Sequence, residues 1–238
     1  MDRNNFVKFN SLKTQLLQIS FSKIPSNFPV SFDGSVVSPV DNINILGLNM
    51  NKKMSWKPHI TTVARVASKK LRVLFRLRNF FSSSQLLQLH KGLIRPCMEY
   101  CYHIWGGSGF TRLLDSFESK AKRLMNCSVL SSSLDLLSLR RDVGVLSLFY
   151  RDRSGRCSRE LTTRVPPPLR RPSSSTRGAV SAHEFCVDIG NSRLVCCGVS
   201  FFPSTIVLWN SLPSSVFPAE FNLPHFKECV YVHLRNLR

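Results

Sequence analysis

Eleven cations and no carboxylate occupy the 57 residues between Asp41 and Glu99. They are Lys52, Lys53, Lys57, Arg65, Lys69, Lys70, Arg72, Arg76, Arg78, Lys91 and Arg95. The chemistry such residues offer is neutralisation of phosphate. Lysine brings a compact charge, and arginine a planar fork that can engage two phosphate oxygens at once. With no acid nearby in sequence, these cations call for an outside anion. Val63, Val66, Leu71, Val73, Leu74, Leu77 and Phe81 are threaded through the same window. An apolar thread of this kind marks a folded element, not a basic tail. The expected partner is a polyanion, nucleic acid first.

Other chemistries have weaker support. Cys97, Cys101 and His103 lie close together and Cys196-Cys197 are adjacent, but neither group has the second ligand pair of a structural zinc site. Buried thiols are the expectation. The 14 acidic residues include no Asp-Asp pair and no tight cluster of the sort a two-metal polymerase or nuclease needs. Asp33, followed by Gly34, suits a hairpin turn better than catalysis. No glycine-rich phosphate loop or nucleophile elbow stands out. Trp56, Tyr100, Tyr102 and Trp105 flank the cationic window; they could stack on bases, but core packing is the expected role.

The elements that position the cations can be read from periodicity. Residues 6–50 read as strands and loops, with alternating polar and apolar positions at 30–32 and 43–46 and a hairpin-turn signal at Asp33-Gly34. From about 58 a helix is expected, with Pro58 in its first turn. Val63, Ala67, Leu74, Leu77 and Phe81 would share its buried face, and Arg65, Lys69, Arg72 and Arg76 another. Ser82-Ser83-Ser84 offers an N-cap for a second helix carrying Leu86, Leu89, Leu93 and Ile94 and stopping at Pro96. Further helices are expected over 111–126, with Leu113, Leu114, Phe117, Ala121, Leu124 and Met125 buried, and over about 134–152. A short one is expected at 224–235.

The 238 residues carry a formal net charge of +19, and 43% are hydrophobic, enough for a core. A second basic zone, 151–178, holds eight arginines against two acids. Part of it, VPPPLRRPSSSTRG at 165–178, has nothing to bury and predicts a linker or arm. No secretory signal pattern and no membrane-length apolar run is visible. The expectation is a protein of the nucleus or cytoplasm that does not engage membrane. The expected fold class is α+β. A β portion spans 1–57 and a helical domain 58–160. A poorly ordered arm covers 161–200 and a C-terminal module 201–238.

Several blocks, in order, are similar to one family. Residues 45–60, ILGLNMNKKMSWKPHI, resemble the segment after the catalytic palm in non-LTR (LINE-type, Jockey-like) retrotransposon reverse transcriptases. The stretch ASKKLRVLFRLRNFFSSSQLLQLHKGLIRPCMEYCYHIWGG at 67–107 resembles its continuation. RRDVGVLSLFYRDRSGRCSREL at 140–161 and SFFPSTIVLWNSLPSSVFPAEFNLPHFK at 200–227 look like the family's downstream region. The resemblance weakens between 165 and 200.

The resemblance implies several roles. FNSLKT at 9–14 would follow the active-site hairpin, and Lys13 would contact the incoming triphosphate or leaving pyrophosphate. Ile45, Leu46 and Gly47 match the primer grip. The helices from 60 to about 126 match the thumb, which holds the template–primer of RNA and DNA by its backbone. Lys52, Lys53, Lys57, Arg65, Lys69, Lys70, Arg72, Arg76 and Arg78 are then the expected nucleic-acid contacts. The fingers, most of the palm and the aspartates that hold Mg2+ in the parent enzyme match nothing in this chain. The chain thus reads as the C-terminal fragment of an RNA-directed DNA polymerase, needing no cofactor itself and expected to give no primer extension alone. The alternative is a non-catalytic nucleic-acid-binding protein.

Overall fold

The computed structural model describes residues 10, 13–20, 29–125, 135–169, 183–188 and 200–238. The fold is α+β, with two antiparallel hairpins followed by helices. The chain divides into two compact units, Met1–Thr61 and Thr62–Arg238.

The N-terminal unit is built on its turns. Strands β1 (Val30–Phe32) and β2 (Ser35–Val37) pair with Val30 opposite Val37. Asp33 and Gly34 between them have φ of 51° and 74°. Positive φ at both central positions is the type I′ turn that matches strand twist, as the Asp-Gly pair foretells. Strands β3 (Asn42–Ile45) and β4 (Leu48–Asn51) repeat the device with Leu46 and Gly47, at φ of 50° and 82°. The Asn44 side chain accepts from the Gly47 N–H at 3.0 Å and braces this turn. Beyond β4, the buried His59 accepts at Nδ1 from the Asn49 N–H at 3.3 Å.

Helix α1 runs Lys57–Leu77. Its buried residues include Ile60, Ala64, Ala67, Leu71 and Leu74, alternating steps of four and three. That spacing keeps one narrow seam against a neighbour. The seam differs from the expected face: Leu77 and Phe81 are exposed, and Val63 is half-buried. Small Ala64 and Ala67, which hydrophobicity alone undervalues, let the neighbour approach.

Ser82 caps helix α2 (Ser83–Leu89) in a reciprocal capping box with Gln85, as the serine run predicts. The helix does not stop at Pro96. It passes through a π turn, His90–Ile94, into α3 (Arg95–Glu99), where Pro96 occupies an N-terminal position. Proline lacks the N–H that an α-helix would need there, and the wider π turn accommodates that loss. Helix α4 (Tyr102–Trp105) follows, with Trp105 fully buried and its indole N–H bonded to the Tyr100 carbonyl at 2.9 Å. Helix α5 (Arg112–Met125) buries Leu114, Phe117, Ala121 and Leu124, while Leu113 is exposed.

Helix α6 (Leu137–Arg153), the short α7 (Arg159–Thr162), α8 (Phe201–Asn210) and α9 (Leu223–Asn236) complete the chain. Residues 201–238, expected as a separate module, share a core with α6. Phe149 meets Trp209 edge-on at 4.8 Å, and Tyr150 stacks on Phe226 at 4.2 Å. Edge-to-face and offset ring pairs add to the area that aromatics bury.

Within the span expected to be an arm, His183, Cys186 and Val187 are buried. The Asn210 side chain holds this segment, donating to the Val187 carbonyl at 2.9 Å and accepting from its N–H at 3.1 Å. The Trp209 indole donates to the Phe185 carbonyl at 2.8 Å. These donors sit more than twenty positions away, so local composition gives no sign of them. Residues 170–182 and 189–199 of the expected arm, including Cys196-Cys197, lie outside the described residues. No helix among the described residues is long and apolar enough to cross a membrane.

Trp209→Ala is expected to lower unfolding free energy by about 3–5 kcal/mol, the cost of deleting a large buried aromatic. Phe80→Ala, at a side chain 80% exposed, should change it by less than about 0.5 kcal/mol. Urea unfolding followed by circular dichroism measures both.

Candidate nucleic-acid interface

Arg65, Lys69, Arg72 and Arg76 form an exposed stripe on α1. Their steps of four, three and four keep them on one face, roughly 150° around the axis from the buried seam at about 100° per residue. The stripe is about 16 Å long at ~1.5 Å per residue. Among the described residues no carboxylate forms a salt bridge with any of the four. The geometry suits a run of phosphates, which it could neutralise without touching base edges.

The other expected contacts divide into groups. Lys52 pairs with Asp41 at 2.7 Å, both exposed, an arrangement worth little in water. Lys53 and Lys57 are exposed in the same N-terminal unit. Lys70 is half-buried and works within the fold, its ammonium donating to the Leu93 carbonyl at 2.8 Å and meeting Cys97 Sγ at 2.9 Å. Cys97 and Cys101, expected as buried thiols, are only half-buried. The Arg78 guanidinium lies over the Phe75 ring at 4.2 Å. Lys13 is exposed, its backbone N–H bonded to the Asn10 carbonyl at 3.1 Å. Phe9, Ser11 and Leu12 of the same segment lie outside the described residues.

Arg95, counted in the cationic window by sequence, is buried. It donates to Glu118 Oε1 at 3.1 Å and to the Asp135 carbonyl at 2.7 Å. Burial pushes the Glu118 carboxyl up, and the Leu137 N–H and Arg95 act against that shift. Among the aromatics, Trp105 and Tyr102 form an edge contact at 5.1 Å, and Arg141 covers Tyr102 at 4.8 Å. They are spent on packing. Among the described residues, no three His, Cys, Asp or Glu side chains converge to hold a metal ion.

A cleft lies between α1 and α5, and the apolar positions that mark 111–126 as a helix give no sign of it. Its volume is about 410 Å³, and its lining includes Arg72, Phe75, Phe117, Lys120 and Arg123. Lys120 lies over the Phe117 ring at 4.9 Å. The available signal was the spacing of Lys120 and Arg123, one turn apart on α5.

His90 sits in the π turn, fully buried, and neither ring nitrogen has a hydrogen-bond partner among the described residues. Burial, with the Arg95 charge beside it, lowers its pKa from 6.5 to about 4. Comparison with protein-family models, curated proteins and solved structures finds no match to the chain.

The His90 environment sets a pH dependence with a definite sign. Between pH 6.5 and about 4 the unfolded chain takes up the proton first. The stability owed to neutral His90 is therefore complete above that window and falls as pH falls through it. By about pH 4 the loss should be of order 2–3 kcal/mol. His90→Leu should flatten the stability–pH curve across this window, as urea unfolding at a series of pH values would show. A curve parallel to wild type would refute the burial of a neutral imidazole.

Proposed function

We propose that this chain is the C-terminal, thumb-bearing part of a non-LTR retrotransposon reverse transcriptase, and that it grips template–primer nucleic acid through its phosphates. The observation that carries the proposal is the α1 stripe: four exposed cations on one face, with no described carboxylate paired to them. Backbone gripping needs charge at the spacing of phosphates and no base-reading side chains.

A second feature supports the same reading. The β3–β4 turn, which resembles a primer grip, holds Leu46 at φ 50° with 82% of its surface exposed. A leucine in the left-handed region costs about 1–2 kcal/mol and gains nothing from burial here. The tight turn imposes that φ, and it leaves the apolar Leu46 side chain in solvent at the tip of the hairpin.

The parent reaction would be RNA-templated DNA synthesis assisted by Mg2+. Among the described residues no three potential ligands converge on such an ion, and no catalytic step is assigned to them. The chain's part is to hold nucleic acid for a palm and fingers that match none of its segments. Its place of work is the nucleus or cytoplasm.

A second reading is a free-standing, non-catalytic nucleic-acid-binding protein. The C-terminal unit favours it by burying Phe149, Trp209 and Phe226 in a core of its own, as an independent domain does.

Replacing Arg65, Lys69, Arg72 and Arg76 by glutamate tests both readings. Duplex affinity should fall by at least about a hundredfold, since four contacts are lost and four repulsions gained. The helical circular dichroism signal should persist, because all four side chains are exposed. Unchanged affinity in fluorescence anisotropy would show that the stripe is only solvated.

A further inference from the structure

The cleft between α1 and α5 joins two kinds of surface that seldom meet by accident. Its apolar part includes Leu71, Phe75 and Phe117, and its cations are Arg72, Lys120 and Arg123. Phe75 is 53% exposed, a large aromatic left in water. Both rings already attract cations: Arg78 lies 4.2 Å from the Phe75 centroid and Lys120 lies 4.9 Å from that of Phe117. Among the described residues, no carboxylate lines the cleft.

We propose that this cleft seats one unpaired nucleotide of a single strand, its base against the exposed Phe75 ring and its phosphates at Arg72, Lys120 and Arg123. A nucleotide is a flat π-system joined to an anion, and the cleft offers a complement to each half. The volume of about 410 Å³ lies in the range of small-ligand sites. A paired base cannot use it, because both its faces are covered by stacked neighbours within a duplex. The proposal rests on the phosphate-gripping reading, since Arg72 belongs to both stripe and cleft. It adds a preference that the stripe alone cannot supply: an unpaired nucleotide, such as one at a strand end or single-strand junction, recognised beside the duplex.

The test compares a single-stranded oligonucleotide with the duplex of the same sequence, using the full chain. Phe75→Ala should weaken single-strand binding about tenfold, the effect of losing one aromatic stacking partner, and leave duplex binding unchanged. Lys120→Ala combined with Arg123→Ala should also act more strongly on the single strand. All three side chains are exposed, and the helical signal checks that each variant folds. Losses equal on the two ligands, or absent on both, overturn the cleft proposal and leave the stripe reading standing. A wild-type chain that binds neither ligand overturns both.

Discussion

One buried ion pair ties three helices of the helical unit together. Arg95, at the start of α3, meets Glu118 in the middle of α5, and both are almost fully buried. The second Glu118 oxygen accepts from the Leu137 N–H, the first donor of α6. Arg95 also holds the Asp135 carbonyl just before that helix. The residue that would cap α6, Leu136, has no side-chain acceptor. A carboxylate from another helix takes that role, and its charge also favours the positive end of the helix dipole. Three helices thus converge on one carboxylate. Removing either partner of such a pair leaves the other buried and uncompensated, typically at about 3–5 kcal/mol.

The pair also sorts the cations. Arg95 is spent inside, and Lys70 is anchored to the Leu93 carbonyl on the same π turn. What remains outward on α1 is a stripe, set away from a seam made narrow by Ala64 and Ala67. The charge that composition reports as a zone is, in three dimensions, a line of cations about 4.5–6 Å apart along one face of α1. The seam and the stripe share the same four–three step, so the packing that fixes one aligns the other.

The sequence was legible where the physics is local. Asp33-Gly34, the serine cap of α2, the span of α5 and the α1 stripe all depend on residues within a few positions of each other. It was not legible where distant partners decide. Pro96 reads as a stop, but a π turn lets the helix pass. Leu113 reads as core, but the face set by Leu114 and Phe117 turns it outward. Residues 183–188 read as arm, but Asn210 and Trp209 pin them from α8. Lys70 reads as a phosphate contact, but the Leu93 carbonyl, more than twenty positions away, ties it into the fold. The cleft lies between two helices that sequence reading treated separately, one for its charges and the other for its apolar positions.

The central claim is that the α1 stripe meets phosphates. The salt dependence of duplex affinity measures this most directly, because each neutralised phosphate contributes about 0.9 to the slope of log K against log salt. Four contacts predict a slope of about −3.6, reduced in size by about 0.9 when Lys69 is replaced by alanine. A slope near zero, or one that the Lys69→Ala replacement leaves unchanged, would contradict the claim.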